Sequence, residues 1–327
     1  EPVNSITQPG RGGSSSNYEI LAIRWPVLDG VSGEGLLLQP LKNDPLANVV
    51  AIPDADQSPE EFVGLVEGTA QQSQLARRLA ESGCRVIVPV LIDREIRAQS
   101  PRRQRVKMSN REFLHRPASL MGRTLQGYEI QKVLALVDWL EKYTEPIGLA
   151  GWGEGGMLAF RAAALDPRVD AVLASGSFGP REEMWKEPLE RNVFGFLESF
   201  GDAELAAMVA PRPLLVEAAK GAEVVIDSAG AAPGRLTTPD LAEVRREFSQ
   251  ASKLARKIDP KSKLELFVSG PDGQGAAGGS KALDAFLETL APGNSLAKQS
   301  KAPNAIAPLP DAEARHSRAF RGIDDCV

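Results

Sequence analysis

From residue 48 onward the apolar positions switch repeatedly between two spacings. Short runs rich in Val, Ile and Leu occupy 48–53 (NVVAIP), 85–91 (RVIVPVL), 147–151 (IGLAG), 170–176 (DAVLASG), 212–218 (RPLLVEA) and 263–268 (KLELFV). They are too short for helices and read as buried strands. Between them the spacing turns helical. Leu75 and Leu79 stand one turn apart in 70–82, and Gly83 supplies a stop. In 127–143, Ile130, Val133, Leu134, Val137 and Leu140 form one stripe. Further helices are expected at 155–165, around 203–208, at 240–257 and at 280–290. Two strands at 18–26 and 32–39, joined by the turn LDGV, come first. This alternation predicts an α/β fold: a mostly parallel central sheet, helices on both faces, and an antiparallel N-terminal edge.

The pattern also divides the chain. Residues 1–16 contain QPGRGGSSS and read as a flexible lead-in to a domain at 17–292. Residues 293–327 are rich in Pro, Ala and Lys at first, and read as a linker and the start of a further segment. Six basic residues between Asp93 and Lys107 (Arg94, Arg97, Arg102, Arg103, Arg105 and Lys107) predict an exposed excursion, with an anion site as the alternative.

Chemistry is expected at 147–158, IGLAGWGEGGML, where an apolar run enters a glycine cluster and a helix leaves it. Two motifs compete for these letters. Gly151, Gly153 and Gly156 fit the dinucleotide fingerprint G-x-G-x-x-G. That reading needs an acidic residue about 20 positions on, but Asp170 falls at the start of the next strand, at the wrong edge of the sheet. Several strands also precede the cluster. Gly151, Gly153 and Gly155 fit G-x-S-x-G, the nucleophile elbow, with glycine in place of serine. The position after a central strand suits the second motif.

Composition narrows the field a little. Of 327 residues, 43% are hydrophobic and 25% charged, and the net charge is −5. That charge argues against a nucleic-acid binder. No apolar run approaches the roughly 20 residues of a membrane span. The two cysteines, Cys84 and Cys326, cannot form a zinc motif. No cofactor and no metal are expected.

Over roughly 45–290 the chain resembles the dienelactone hydrolase and acetyl xylan esterase-like branch of the α/β-hydrolase superfamily. The resemblance rests on VVAIPDAD, GWGEGGMLAFRAAALDPRVDAVLASG, the APRPLLVEA strand, and the last strand with its loop and helix. The stretches SNREFLHRPASLMGRTLQGYEIQKVLALVDWL and PREEMWKEPLERNVFG resemble a subgroup of multidomain bacterial esterase-like proteins. The resemblance implies the α/β-hydrolase fold, small ester or carbohydrate ligands, and a periplasmic or extracellular location. It also implies a Ser, acid, His triad in that chain order.

The triad positions are mostly vacant. Gly153 holds the serine position. The loop after the last strand, SGPDGQGAAGG, has no histidine, only Asp272 and Gln274 as polar groups. The acid should follow RPLLVEA, where Glu217 and Glu223 lie without a recognisable motif. The chain's two histidines, His115 and His316, do not follow the last strand, although His115 could lean over the site from before the long helix.

Other groups remain as candidates. Glu154 and Asp272 could serve an altered acidic site, and with Asp54 and Asp56 could line an acidic pocket for a cation, a sugar or a metal-assisted water. Turn-forming and capping aspartates are the plainer account. Trp152 and Trp185 are candidate crevice walls. The sequence therefore points to a non-catalytic homologue. The alternatives are an esterase with an altered site and, behind it, a dinucleotide-binding protein.

Overall fold

Strand β4, Asn48–Ile52, shows how the sequence builds the centre of the molecule: all five residues are buried. Val50 and Ile52 pack into one apolar cluster and Val49 and Ala51 into another, on opposite sides of the sheet. Alternation puts successive side chains on opposite faces, so a run buried on both faces needs helices on both. In the computed structural model, which describes residues 7–96, 107–227, 231–305 and 311–327, it has them.

The elements in chain order are β1 (Thr7–Ser14), β2 (Tyr18–Leu28), β3 (Val31–Pro40), β4, α1 (Pro59–Val63), α2 (Leu75–Glu81), β5 (Arg85–Pro89), α3 (Asn110–Leu120), α4 (Leu125–Leu140), β6 (Ile147–Trp152), α5 (Glu154–Leu165) and β7 (Ala171–Ser175). There follow α6 (Asp202–Val209), β8 (Leu214–Ala218), a small hairpin of β9 (Val224–Ile226) and β10 (Gly234–Leu236), α7 (Leu241–Ile258), β11 (Leu264–Val268), α8 (Ser280–Leu290), β12 (Asn304–Ala305) and α9 (Ala312–Asp324). The main sheet has ten strands in the order β11-β8-β7-β6-β4-β5-β3-β2-β1-β12. Strands β5, β4, β6, β7, β8 and β11 are mutually parallel, while β1, β2, β3 and β12 pair antiparallel. Side chains of α4, α5, α6, α7 and α9 pack into the cluster on one face; those of α1, α2 and α8 pack into the other. Each fully buried Leu or Ile there contributes about 1.5–3 kcal/mol.

The expected mostly parallel sheet with an antiparallel edge is thus observed, and the edge is wider than expected. Residues 7–14, read as a flexible lead-in, pair with β2 as β1, with register shifts that suit a glycine-rich strand. Residues 293–327, read as a linker and the start of another segment, return to the sheet. Within them β12 pairs with β1. On α9, Arg315 makes a two-pronged pair with Glu60 of α1 at 2.8 and 2.7 Å, Arg318 does the same with Glu34 of β3 at 2.7 Å each, and Phe320 stacks on Phe113. Phe320 and Ile323 are buried. These anchors are scattered apolar and charged residues one helical turn apart, which a proline-rich lead masks.

Candidate functional site: the glycine turn after the sixth strand

Strand β6 ends at Trp152, and α5 begins at Glu154, so the whole reversal falls on Gly153. Its φ of 58° and ψ of −121° lie in a region that L side chains rarely adopt. The neighbouring glycines serve close packing: a Cβ on Gly155 would stand 2.1 Å from the carbonyl oxygen of Ile52. Strand, turn and helix are drawn tightly together, as the elbow reading requires.

Asp54 lies just past the end of β4, and its carboxylate projects into this turn. Oδ1 accepts the Glu154 backbone N–H at 2.8 Å, and a Cβ on Gly153 would come within 2.5 Å of the same oxygen. In the hydrolase elbow the N–H of the residue after the nucleophile is an oxyanion donor. Here that donor is satisfied by an internal carboxylate. Arg94 holds it in place. Its Nη1 donates to Asp54 Oδ2 at 2.7 Å and to Asp56 Oδ2 at 3.0 Å, and its backbone N–H donates to Asp56 Oδ1 at 2.8 Å. Arg94 is buried, at variance with its expected place in an exposed excursion. The expectation for Arg97, Arg102, Arg103 and Arg105 lies outside the described residues.

Glu154 turns away from the crevice. It is fully buried, and three arginines surround its carboxylate: Arg94 at 3.1 Å, Arg111 at 3.0 Å and Arg191 at 2.8 Å. Burial alone would raise its pKa. Arg191, Arg111 and Arg94 override that and hold the carboxyl well below the usual carboxylate range. A carboxylate held so firmly in the charged form is a structural counter-ion and a poor proton acceptor. Arg111 continues the network to Glu129 at 2.8 Å and Glu190 at 3.4 Å. Sequence reasoning missed Arg94, Arg111, Arg191, Glu129 and Glu190, because nothing in the local pattern marks a charged residue that will be buried against a distant partner.

Where the resemblance would place the acid and the histidine, the carboxylates present accept backbone N–H groups. Glu217, at the end of β8, accepts the Ser175 hydroxyl and the N–H groups of Gly278 and Gly279 at 2.8 and 2.7 Å. Its charge thereby sits at the start of α8, where the helix dipole favours an anion. Asp272, in the loop after β11, is exposed, and its Oδ1 accepts the N–H of Gln274 at 3.0 Å, a turn-forming contact.

A crevice of about 620 Å³ opens at the carboxyl ends of the strands, where open α/β sheets bind their ligands. Asp54, Asp56, Trp152, Lys220 and Glu223 line it, with Thr69 and Ser73 across from them. The Trp152 Nε1–H donates to the carbonyl oxygen of Lys220 at 2.8 Å, which fixes the ring as a wall. Of the sequence candidates, the structure therefore gathers Asp54, Asp56 and Trp152 in one place. Glu154, Asp272, Trp185 and His115 are not among the residues lining the crevice. Trp185 is 71% exposed on a turn of 3-10 helix, Met184–Lys186.

His115 is buried in α3, with Nε2 3.0 Å from the Ser119 hydroxyl. Burial, reinforced by Arg111 and Arg116, pushes its imidazole down to about 4. The folded protein thus prefers it neutral, and below the ordinary 6.5 the unfolded chain takes up a proton that the folded one refuses. Its contribution is present above that value and lost as pH falls toward the folded one. Urea midpoints should show a fall between pH 6.5 and 4, at most about 1.4 kcal/mol per pH unit from this group, that His115→Gln reduces. Equal slopes in the two proteins would contradict this assignment.

Among solved structures, a Bacteroides fragilis protein assigned as an acetyl xylan esterase aligns with a TM-score of 0.56 at 14% identity, over 82% of this chain and 70% of that one. A glucuronoyl esterase from Solibacter usitatus aligns at 0.55 and 14%, over 89% and 86%. An acylaminoacyl peptidase from Pyrococcus horikoshii aligns at 0.53 and 13%, over 87% of this chain but 43% of that one. At such identities the likeness establishes the fold. No curated protein sequence matches the chain. Residues 37–193 match the model of the dienelactone hydrolase family, a span that contains β4, the elbow and the Asp54 loop. With the strand order and the tight glycine turn, these likenesses show an α/β-hydrolase fold, and the matched span, just under half of the chain, is similar to the dienelactone hydrolase family.

Proposed function

We propose that this chain is a non-catalytic α/β-hydrolase homologue that keeps the crevice beside Trp152 for binding a small ester or carbohydrate ligand. The observation that carries this reading is Asp54: its Oδ1 takes the elbow N–H at 2.8 Å and fills the space that a side chain at residue 153 would need. Acyl transfer needs a donor pair aimed at the developing oxyanion. A carboxylate in that place is an acceptor where a donor is needed, and the pairing with Arg94 holds it there. The absent serine and the absent histidine of the last loop agree with this. The ligand class follows from the names of the structural neighbours and from the polar lining with one fixed aromatic wall.

The test is a panel of short-chain and acetylated-sugar esters, with heat-denatured protein as control. The expected rate equals that of the control. A ligand from the panel should raise the melting temperature and be recovered intact. Turnover above the control would overturn the reading and return attention to Asp56, the partly exposed acid of the crevice.

A further inference from the structure

Arg161 lies on α5 two turns beyond Glu154, on the side that faces α4, and is 5% exposed. Its Nη1 donates to Oε1 of Gln126, near the start of α4. Its Nε and Nη2 have no acceptor among the described residues, and neither has Nε2 of Gln126, itself 2% exposed. The bond from Nη1 fixes which end of the amide is the oxygen. Two donors on one edge of a buried guanidinium therefore have no acceptor among the described residues, and Gln126, held on Nη1, lies on the other side of the group. Buried polar groups are almost always paired, and an exception calls for a missing partner.

The geometry of the guanidinium narrows what that partner is. Nε–H and Nη2–H point the same way along one edge, the fork that grips a planar oxyanion or a halide. The nearby acids are already committed. Asp202 takes Arg181 at 3.0 and 2.7 Å together with the N–H of Gly179, and Glu154 takes its three arginines. Arg181 and Arg191 add positive charge around Arg161. Above the guanidinium, 5.0 Å away, lies the ring of Phe196. Phe196 opens a 3-10 turn, Phe196–Glu198, next to the fully exposed Phe194.

We propose that Arg161, through Nε and Nη2, binds a small monovalent anion, a halide or a planar oxyanion of formate size. The ion supplies the acceptor that this edge of Arg161 lacks. This site is separate from the crevice and does not depend on whether the crevice binds or catalyses.

Melting temperatures of the full chain would be measured in sodium chloride, nitrate, formate and gluconate at equal ionic strength, from a gluconate baseline. The three small anions should each raise the melting temperature by a few degrees and saturate, as binding to the folded state alone requires. Exclusion of salt from the surface would not saturate in this way. Arg161→Met should remove the difference between small anions and gluconate. A second measurement needs no variant: anomalous diffraction from a bromide-soaked crystal should show bromide within hydrogen-bond reach of Arg161 Nε and Nη2. Identical melting in all four salts, or a bromide map empty at Arg161, overturns the proposal.

Discussion

Glu154→Ala is expected to cost about 3–5 kcal/mol, the usual consequence of removing one partner from a buried ion pair, and enough to bring a protein of ordinary stability close to unfolding. The reason is the count of cations left behind. Arg94 and Arg111 keep other acids, Asp54 and Glu129, while among the described residues Arg191 then keeps Glu187 alone, at 3.1 Å, and all three lose a shared, buried acceptor. Glu154→Gln keeps the volume and one acceptor, so it should cost less than alanine. Both would be read from urea unfolding at neutral pH. Acid should mimic the substitution. The folded carboxyl is held low, so its contribution is complete above the unfolded value of 4.5 and is lost as pH falls through the folded one. The wild-type protein should therefore lose stability below about pH 4 more steeply than the glutamine variant. A cost under about 1 kcal/mol for alanine would mean that the arginines turn out to solvent and that the network does not hold the elbow.

Gly153→Ser, the substitution that restores the letters of the nucleophile motif, should destabilise the chain and hydrolyse nothing. The backbone at 153 costs a non-glycine residue about 1–3 kcal/mol. The new Cβ, 2.5 Å from Asp54 Oδ1, forces a shift of a carboxylate tied to Arg94 and to the Glu154 N–H; such overpacking typically costs about 1–3 kcal/mol more. Removing the obstruction tests the cause. In an Asp54→Ala background the serine should cost less than in the wild type, because the two positions share one space and cannot act additively. If the serine costs the same in both backgrounds, the strain resides in the backbone alone. Ester turnover by Gly153→Ser alone would contradict the view that Asp54 occupies the oxyanion position.

How much of this was legible beforehand follows from the range of each interaction. The period of β4, β5 and β6 and the stripe of α4 are local, and they led to the sheet and its parallel order. The elbow was legible because its glycines are adjacent in sequence. The place of Asp54 was not, since an aspartate that only shapes its own turn and one that reaches the backbone of residue 154 have the same neighbours in the chain. The fate of Glu154 was also hidden. Its partners lie 60, 43 and 37 residues away, and a charge is buried only when such partners arrive. The glycine-rich β1 and the proline-led α9 failed to register for the same reason: what holds them is pairing across the whole chain.

That last pairing sets a timetable for synthesis. Glu34 and Glu60 meet Arg318 and Arg315 across separations of 284 and 255 residues. Closing loops of that length is slow, and contacts of high sequence separation form late. While a ribosome is still making the chain, β3 and α1 are finished long before α9, and until then their partners do not exist. Glu60 must wait for Arg315, and Glu34 with Arg24 alone, until α9 has left the exit tunnel, a stage at which the incomplete chain exposes surface that can aggregate.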